Sequence, residues 1–391
     1  MSEGVEARLG STTDAPRLTV LVPCWNAAST IEVALASILV ERDVSLECIV
    51  IDDGSTDGTS DLVAALVERD SRVVLLRLPT NGGVSNARNE GLRIARGEWI
   101  CFHDADDRFM PGGLAALMRP ARLPDVLAVI GQRVWTDGER TWLSPLYDIP
   151  DIREPGRKSI ATHPGLLYYV TATGKVYHRS ILDGLWFEGR VLGDQSWTIR
   201  ALLRAGSSIE VIGDTVFEYS RPHPAATVET ITSRTRASAA GAAEMATVAR
   251  TVFVEVSREA NLRIDDASTR DDVLRAYLER LIVSDLGGLV RKAIERRDPD
   301  TGRFFDAMTT FLAVVPPSIL AQSDHLVTSV LWPPVRYWRT LPPSARGPYR
   351  RMLRQALRAD PWGARVLPPR IARRAATRSA AFAVRLWERS R

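Results

Sequence analysis

Three carboxylates directly follow an apolar run near residue 100. Asp104, Asp106 and Asp107 stand within four positions of one another, after the strand-forming residues 99–102. Strand side chains alternate between two faces and the chain turns where a strand ends, so two or three of these carboxylates can converge on one point. Like charges at close range destabilise one another unless a cation lies among them, and a hard divalent cation with a diphosphate on its far side fits that role. A solvated acidic turn with a helix cap is the competing interpretation of the same residues.

The elements before this cluster help to decide between the two interpretations. Near-continuous apolar runs, typical of strands buried on both faces, occupy 18–22, 46–51, 73–78 and 99–102. Amphipathic helical stretches and short turns separate them, which predicts an α/β fold with a mostly parallel sheet and right-handed crossovers. Such sheets bind ligands at the carboxyl ends of their strands. Those ends carry the polar, turn-forming segments 23–26, 52–57, 81–83 and 104–107, which together predict a nucleotide-sized site.

Local signals predict further details of this α/β region. Pro23 is expected to end the first strand, and Ser29, with a glutamate three positions later, to form a capping box at the start of the next helix. Residues 144–165 are rich in proline and glycine and predict a long mobile loop. Residues 209–212 and 216–219 predict two short final strands.

Composition divides the chain into four regions. We expect a disordered leader over 1–16, an α/β domain over 17–230, a helical domain over 231–334 and an arginine-rich helical tail over 335–391. The tail holds fifteen arginines and two carboxylates, a net charge of +13, whereas the remaining 334 residues carry a net charge of −9. This asymmetry predicts an anionic partner for the tail.

The composition favours a protein of the cytoplasm. Three cysteines without CxxC spacing, Cys24, Cys48 and Cys101, indicate reduced structural thiols. The polar N-terminus has no apolar core that would make a signal peptide, and no run of about 18 apolar residues predicts a membrane span. One hypothesis for the basic tail is peripheral attachment to the anionic inner face of the cell membrane. Packing of the tail on the body is another hypothesis, and no recognised module supports nucleic-acid binding.

Four motifs in order resemble those of the family 2 glycosyltransferases. They read VPCWN at 22–26, IDDGSTD at 51–57, NGGVSNARN at 81–89 and DADD at 104–107. The resemblance covers about 17–225. It implies a GT-A fold, an inverting mechanism and a nucleotide-diphospho-sugar donor, with UDP as the expected nucleotide. It also implies a divalent cation, Mn²⁺ or Mg²⁺.

The resemblance implies roles for individual residues. Asp104 and Asp106 form the D-x-D element, with Asp106 the more direct metal ligand, and His223 stands where the family often has a further metal contact. Asp53 is expected to accept a hydrogen bond from the base, and Trp25 replaces a common tyrosine and can stack on that base. The implied donor-binding positions are Pro23, Trp25, Asn26, Asp53, Gly82, Arg88, Asp104, Asp107 and Lys175.

Asp194 is the implied catalytic base. An acceptor hydroxyl has a high pKa and needs a base as it attacks the anomeric carbon opposite the leaving group. The family carries that base in an E-D-x-x-W segment at the head of a helix, and the matching residues 193–197 read GDQSW. Gly193 replaces the common glutamate, a change that bears more on the class of acceptor than on the reaction. Considered alone, Asp194 is a helix N-cap.

The resemblance implies transfer of a sugar to a glycan, glycolipid or wall-polymer precursor in bacterial cell-surface polysaccharide synthesis. Two other classes stay open. A metal-dependent nucleotidyltransferase also uses paired aspartates, although no glycine-rich, lysine-containing loop follows Val22. The second is a catalytically silent binding or scaffold protein on the same fold. The intact aspartates of the motifs argue against this class, namely Asp53, Asp104, Asp106 and Asp194. The helices predicted over 231–334 offer a surface for a homodimer.

Overall fold

The computed structural model describes residues 6–8, 15–189, 192–220, 239–286, 289 and 301–323 of the chain. The chain forms two compact units, Met1–Val228 and Glu229–Arg391. The first contains one large sheet with flanking helices, and the described elements of the second are helices.

Strands and helices alternate through the first part of unit 1. In chain order these elements are β1 (Glu6–Arg8), β2 (Leu18–Cys24), α1 (Ile31–Leu39), β3 (Leu46–Asp52), α2 (Thr59–Val67), β4 (Val73–Arg77), α3 (Val84–Ile94) and β5 (Trp99–Phe102). The second part contains β6 (Arg108–Phe109), α4 (Gly113–Met118), β7 (Ala128–Thr136), β8 (Thr141–Leu143), α5 (Pro150–Arg153), β9 (Gly156–Lys158), β10 (Lys175–His178), α6 (Gly193–Ala205) and β11 (Ile209–Ser220). Short 3₁₀-helical turns occupy Pro120–Arg122, Pro145–Asp148, Pro164–Tyr168 and Arg179–Ile181.

The strands form one mixed sheet in the order β1-β4-β3-β2-β5-β10-β7-β11-β6, with β8 paired to β7 and β9 to β11. β4, β3, β2 and β5 are parallel neighbours, and so are β7 and β11. The predicted α/β fold with a mostly parallel sheet and flanking helices is therefore confirmed. The chain passes from β2 outward to β4 and returns to β5 on the other side of β2, so the carboxyl ends of β2 and β5 border a crevice.

The central strands are buried because helices cover both faces of the sheet. Every residue of β2, β3 and β5 is buried, as their uninterrupted apolar runs predict. Helix α3 packs closely on β2 and β3 because Gly91 has no side chain. A Cβ at Gly91 would lie 2.8 Å from the Ile51 side chain and 2.9 Å from that of Leu21. This close approach positions the residues of α3 that precede Gly91 at the edge where the strands end.

Two predictions for the first residues of the fold are wrong. The segment 1–16, predicted to be a disordered leader, includes a strand, because Glu6–Arg8 pairs antiparallel with β4 at the sheet edge. Pro23 does not end β2, which runs on to Cys24. β5 ends opposite Leu21, so Pro23 pairs with β3 on one side only, and the proline is tolerated as it is on an edge strand.

Three further local predictions are also wrong. Ser29 does not cap α1, because it lies inside a turn that precedes the helix, and the N-cap residue is Thr30 without a side-chain bond. The segment 144–165 is not one long loop but contains α5, β9 and 3₁₀ turns, and β9 is held by its pairing with β11. The two short strands predicted within 209–219 form one strand, β11, whose pairing with β7 shifts register twice.

Unit 2 contains α7 (Ala239–Arg263), α8 (Ala267–Arg280), a π-helical turn (Leu281–Leu286), α9 (Thr301–Leu312) and α10 (Pro317–Gln322). Phe253 of α7 stacks on Tyr277 of α8 with 6.2 Å between ring centroids. Among the described residues, no helix is both long and apolar enough to cross a membrane. The basic tail predicted over 335–391 lies outside the described residues.

Candidate active site

Polar side chains tie together the loops at the carboxyl ends of β2 and β3. Asn26, with a left-handed φ of 49°, accepts a hydrogen bond at Oδ1 from the amide of Thr56 at 2.8 Å. The amide of Asn26 donates to Ser55 Oγ at 2.9 Å. Trp25 beside it is 57% exposed, whereas Pro23 is buried at the end of β2. The exposed indole is therefore free to stack on a planar ligand, as the sequence predicts for Trp25.

Asp53 joins the end of β3 to the turn before α3. Its carboxylate is buried and accepts hydrogen bonds from the amides of Gly82 at 2.9 Å and Gly83 at 2.7 Å. Gly83 has a φ of 88°, which only glycine adopts without strain. Each carboxylate oxygen keeps a further acceptor position. The predicted contact of Asp53 with a nucleobase stays a prediction, while its contacts with the glycine turn are observed.

Arg88 of α3 bridges two carboxylates that are distant in the sequence. Its guanidinium donates from Nη2 to Asp104 at 2.7 Å and from Nη1 to Asp194, although the arginine side chain is only 2% exposed. Burial lowers the pKa of Arg88, but Asp194 and Asp104 outweigh burial and raise it, so the group stays charged. Arg88 was predicted to contact the nucleotide, whereas the structure places its guanidinium between the acidic cluster and α6.

Asp194 lies in the first turn of α6, and Arg88 donates to its Oδ1. Withdrawal from water raises the pKa of Asp194, and the charge of Arg88 opposes that rise. The backbone amide of Ala172 also lowers the pKa of this carboxylate. The side chain keeps 31% exposure. This arrangement leaves an oriented carboxylate with part of its surface open to a ligand.

Gly193 has a steric reason to be glycine. A Cβ at this position would lie 2.7 Å from the carbonyl oxygen of Glu188 and 3.0 Å from Ser85 Oγ. The preceding residue, Leu192, already adopts a left-handed φ of 58° at the start of α6. The chain therefore reaches Asp194 by a tight turn that has no room for the glutamate of the E-D-x-x-W pattern.

An aromatic cluster holds α6 against the end of β5. Trp197 stacks on Phe187 with 4.5 Å between ring centroids and meets Phe102 edge to face at 4.9 Å. The indole Nε1 of Trp197 donates to the carbonyl of Leu185 at 3.2 Å. The guanidinium carbon of Arg88 lies 5.3 Å from the centroid of Phe187. The cluster thus fixes both the helix that carries Asp194 and the arginine that contacts it.

The three carboxylates after β5 have different environments. Asp104 is half-buried and accepts from Arg88, while Asp106 is exposed. Asp107 is buried; its Oδ1 accepts from the amide of Ser220 at 2.7 Å, and its Oδ2 has no hydrogen-bond partner among the described residues. Loss of surrounding water and then the charge of Asp104 raise the pKa of both Asp106 and Asp107. Added positive charge would relieve this crowding.

Asp104 and Asp106 fit a cation that is shared with a ligand. No group of three or more His, Cys, Asp or Glu side chains suited to a metal occurs in the described part of the chain. Mg²⁺ commonly binds one or two protein carboxylates and completes its shell with water and substrate phosphates, and these two residues suit that mode. His223, the other predicted metal ligand, lies outside the described residues.

Lys175 is completely buried in β10. Its Nζ donates to the carbonyls of Thr171 at 2.7 Å and Thr173 at 3.4 Å, and lies 3.3 Å from the ring centroid of Tyr169. Burial and then the charge of Arg133 lower the pKa of Lys175 well below its ordinary value. The donor-binding role predicted for Lys175 stays a prediction, and the ammonium faces carbonyl oxygens rather than solvent.

Several residues near the site were missed by the sequence analysis. Arg133 of β7 donates from Nη1 to Thr171 Oγ1 at 3.0 Å, and its guanidinium carbon lies 4.7 Å from the Tyr169 centroid and 5.4 Å from that of Tyr219. A signal for Arg133 exists in the sequence, because a charged residue interrupts the strand-like run over 128–134. The backbone contact of Ala172 with Asp194 has no such signal.

Comparisons with known proteins relate part of the chain to glycosyltransferases. Residues 19–186 match the profile of glycosyl transferase family 2. The succinoglycan biosynthesis protein ExoO of Rhizobium meliloti is 42% identical over 106 residues, which are 27% of this chain and 30% of ExoO. TuaG of Bacillus subtilis, a putative teichuronic acid biosynthesis glycosyltransferase, is 36% identical over 94 residues, 24% of this chain and 37% of TuaG. The matches thus span about a third of these curated relatives.

Solved structures resemble more of the chain. The crystal structure of S. aureus TarS 1–349 superposes with a TM-score of 0.68 at 19% identity, covering 88% of this chain and 91% of that one. TarS 1–349 in complex with UDP-GlcNAc gives a TM-score of 0.68 at 20% identity, with coverage of 88% and 92%. At this identity the likeness shows a shared fold.

Proposed function

We propose that this protein is an inverting enzyme that transfers a sugar from a nucleotide-diphospho-sugar to an acceptor hydroxyl, because residues 19–186 match the profile of glycosyl transferase family 2. The observation that carries the proposal is that Arg88 contacts both Asp104 and Asp194. A carboxylate of the cluster after β5 and a carboxylate at the head of α6 therefore contact the two terminal nitrogens of one guanidinium. A donor phosphate beside the first and an acceptor hydroxyl beside the second would meet between them.

Asp194 is the proposed general base. Arg88 orients its carboxylate, and the exposed part of the side chain can reach an acceptor hydroxyl. Asp194 takes the hydroxyl proton as the acceptor oxygen attacks the anomeric carbon on the face opposite the diphosphate. A carboxylate whose pKa is raised by loss of water is a better proton acceptor than an ordinary aspartate, which supports this assignment.

Asp104 and Asp106 are the proposed holders of a divalent cation, Mn²⁺ or Mg²⁺. Such a cation, when bound, neutralises the negative charge that develops on the diphosphate leaving group. The raised pKa of Asp106 beside Asp104 supports this role, because a pair of crowded carboxylates favours a cation. Asp107, tied to Ser220, would shape the side of the pocket that holds the donor sugar.

The loops after β2, β3 and β4 form the proposed donor pocket. Trp25 would stack on the base, while Asn26 and Asp53 hold the loops that surround the base in place. UDP is the proposed nucleotide, following the TarS structure solved with UDP-GlcNAc. The proposed acceptor is a glycan, glycolipid or wall-polymer precursor, following the names of ExoO and TuaG.

The proposed location is the cytoplasm, at the inner face of the cell membrane. The net charge of +13 over 335–391 supports contact between this segment and anionic lipids. Pairing of two chains through the helical residues of 231–334 is proposed as well.

Donor hydrolysis tests the proposed function. The full chain is incubated with UDP-, GDP-, CDP- and dTDP-sugars, with Mn²⁺ or with EDTA, and nucleotide release and thermal unfolding are measured. We expect one nucleotide class to be released only with the metal and to raise the unfolding temperature. Asp106→Asn should lose the metal-dependent nucleotide release, whereas Asp43→Asn, at an exposed aspartate outside the four motifs, should keep it. Absence of turnover and of stabilisation for every donor would contradict the proposal.

A further inference from the structure

Arg133 is a cation without a carboxylate partner among the described residues. It is half-buried on β7 and donates to two neutral hydroxyls, Thr171 Oγ1 at 3.0 Å and Ser144 Oγ at 3.5 Å. Its Nη2 atom has no hydrogen-bond partner in the described part of the chain. This atom is not fully buried, so a ligand can approach it. A guanidinium has five N–H donors. Arg133 therefore keeps donors available for a ligand.

Aromatic rings hold this guanidinium in one orientation. It lies 4.7 Å from the centroid of Tyr169 and 5.4 Å from that of Tyr219. Lys175 Nζ lies 3.3 Å from the centroid of the same Tyr169 ring. The hydroxyl of Tyr169 is buried without a partner among the described residues. Such a preorganised fork of donors matches the oxygens of a phosphate or carboxylate.

Two residues that contact Arg133 are chain neighbours of residues close to the proposed catalytic groups. Thr171, which accepts from Arg133, precedes Ala172, whose backbone amide is close enough to Asp194 to lower the pKa of its carboxyl group. Tyr219, whose ring contacts the Arg133 guanidinium, precedes Ser220. The amide of Ser220 donates to Asp107 at 2.7 Å. A ligand on Arg133 would therefore lie within reach of both the base and the acidic cluster.

The position of Arg133 in the sheet separates it from the donor loops. Asn26 and Asp53 follow β2 and β3, on one side of β5. β7, which carries Arg133, and β11, which carries Tyr219, lie beyond β10 on the other side of β5. The nucleoside and Arg133 therefore occupy opposite sides of the acidic cluster, and the side of Arg133 is left for the acceptor.

We propose that Arg133 binds an anionic group, a phosphate or a carboxylate, on the acceptor. Tyr169 and Tyr219 flank the guanidinium and keep it oriented. The inference rests on the proposed function, because Asp194 as base defines where the acceptor hydroxyl lies. It goes further by assigning a charge to the acceptor close to the hydroxyl that reacts.

Binding of small anions tests this assignment without requiring turnover. The full chain is saturated with UDP and Mn²⁺ so that phosphates cannot enter the donor side, and is titrated with glycerol 3-phosphate or glucuronate, with glycerol and glucose as neutral counterparts. Ligand-observed NMR or calorimetry measures the affinities. We expect one of the anions to bind more tightly than its neutral counterpart, and Arg133→Gln to weaken that binding roughly 10- to 100-fold, as the loss of a charged hydrogen-bond donor does.

Matched variants separate this result from other causes. Arg140→Gln removes the same charge from an exposed residue near the turn between β7 and β8 and should leave anion binding unchanged. Arg133→Lys keeps the charge without the fork and should bind at an intermediate affinity, which also covers the case in which Arg133→Gln does not fold.

Anions that fail to bind to the UDP complex, or that bind Arg133→Gln as tightly as wild type, overturn the inference. A loss of UDP affinity in Arg133→Gln overturns it too and assigns the arginine to the donor. Failure of the wild type to bind UDP at all would count instead against the proposed function.

Discussion

Arg88 contacts both carboxylates that the proposed chemistry requires. Its burial against Phe187 means that neither Asp104 nor Asp194 can lose the guanidinium without leaving an uncompensated charge. Arg88 thus does more than add positive charge near a nucleotide. It links Asp104, which is proposed to hold the cation, to Asp194, the proposed base, and it keeps Asp194 more acidic than burial alone would make it.

Asp194→Asn should abolish transfer while leaving the donor site intact. Asparagine keeps the shape of the side chain and can still accept from Arg88, but it cannot take a proton. We expect a fall in transfer of roughly 10²- to 10⁴-fold, the usual contribution of a general base. Affinity for UDP, measured by calorimetry, should stay at the wild-type value. The exposed Asp183→Asn serves as the control, and lost UDP binding in Asp194→Asn with a native unfolding temperature would show that the base is misassigned.

Arg88→Gln should shift the acid limb of the pH–rate profile. Arg88 lowers the pKa of Asp194, so its removal raises that pKa further, and the base becomes protonated at a higher pH. As the pH is lowered, the variant therefore loses activity at a higher pH than the wild type does. Misplacement of the base lowers its activity by roughly a further 10²-fold at all pH values. Measurement of kcat/KM across pH checks this. Arg93→Gln, an exposed arginine of the same helix, should retain the wild-type profile, and an unshifted limb in Arg88→Gln would refute the coupling.

Lys175 should make stability depend on pH. Its pKa in the folded chain is well below 10.5, so between that lowered pKa and 10.5 the unfolded chain binds a proton that the folded chain does not. The free energy of unfolding therefore rises with pH across this window, by at most about 1.4 kcal/mol per pH unit. Lys175→Met should remove this rise in urea unfolding measured at several pH values. Equal slopes for the two proteins would mean that Lys175 is charged in the folded state.

At the scale of elements, α3 and α6 are the two helices that bring the site together. α3 begins at the glycine turn held by Asp53 and carries Arg88 one turn later, while α6 begins at the tight turn before Asp194. Both helices start where their first residues face the carboxyl edge of the sheet. Gly91 sets how closely α3 approaches β2 and β3, and the aromatic cluster around Trp197 fixes α6.

Gly91→Val should displace α3 and impair the site from a distance. The added side chain would meet Ile51 and Leu21 at less than the usual contact distance, so the helix must shift outward. Overpacking of this kind costs about 1–3 kcal/mol, and the shift moves Arg88, which lies one turn earlier. We expect a lower unfolding temperature together with a lower kcat. Arg93→Val places the same side chain at an exposed position of α3 and should change neither, and a fully active Gly91→Val would show that the placement of Arg88 tolerates the shift.

At the scale of the whole molecule, charge is unevenly distributed along the chain. The segment 335–391 carries a net charge of +13, and the other 334 residues carry −9. A basic segment gains about 1 kcal/mol per arginine near an anionic bilayer, so a few arginines are enough to bring an enzyme to a membrane surface. Acceptors anchored in lipid would then be concentrated around the site.

Four substitutions in the basic segment test this membrane proposal. Changing Arg373, Arg374, Arg378 and Arg385 to Gln in the full chain should weaken binding to phosphatidylglycerol vesicles roughly 10²- to 10³-fold in a sedimentation assay. Binding to neutral phosphatidylcholine vesicles should stay low for both proteins. The control changes four arginines of unit 1, Arg42, Arg119, Arg140 and Arg153, and so lowers the net charge equally. Identical weakening in this control, or none in the test variant, contradicts a specific role for the segment.

Much of the fold is predictable because it follows from local patterns. Uninterrupted apolar runs separated by helical stretches determine buried parallel strands, and the carboxyl ends of parallel strands necessarily share one edge. The loops that carry Asn26, Asp53 and the acidic cluster were therefore expected at one edge, and the structure places them there. Where several weak signals compete, as over 144–165, the prediction of a mobile loop is wrong, because pairing with β11 outweighs the local abundance of proline and glycine.

Local sequence patterns predicted the parallel strands, the edge at which their polar loops meet and the residue types along that edge. Tertiary structure alone decided that Arg88 lies between Asp104 and Asp194, that Gly193 leaves room for a neighbouring carbonyl, and that Arg133 faces two tyrosines. This difference follows from how far apart along the chain the interacting residues are. Hydrophobic periodicity acts between residues a few positions apart, whereas ion pairing and steric exclusion act through space between residues that the sequence separates, and only the folded chain brings those residues together.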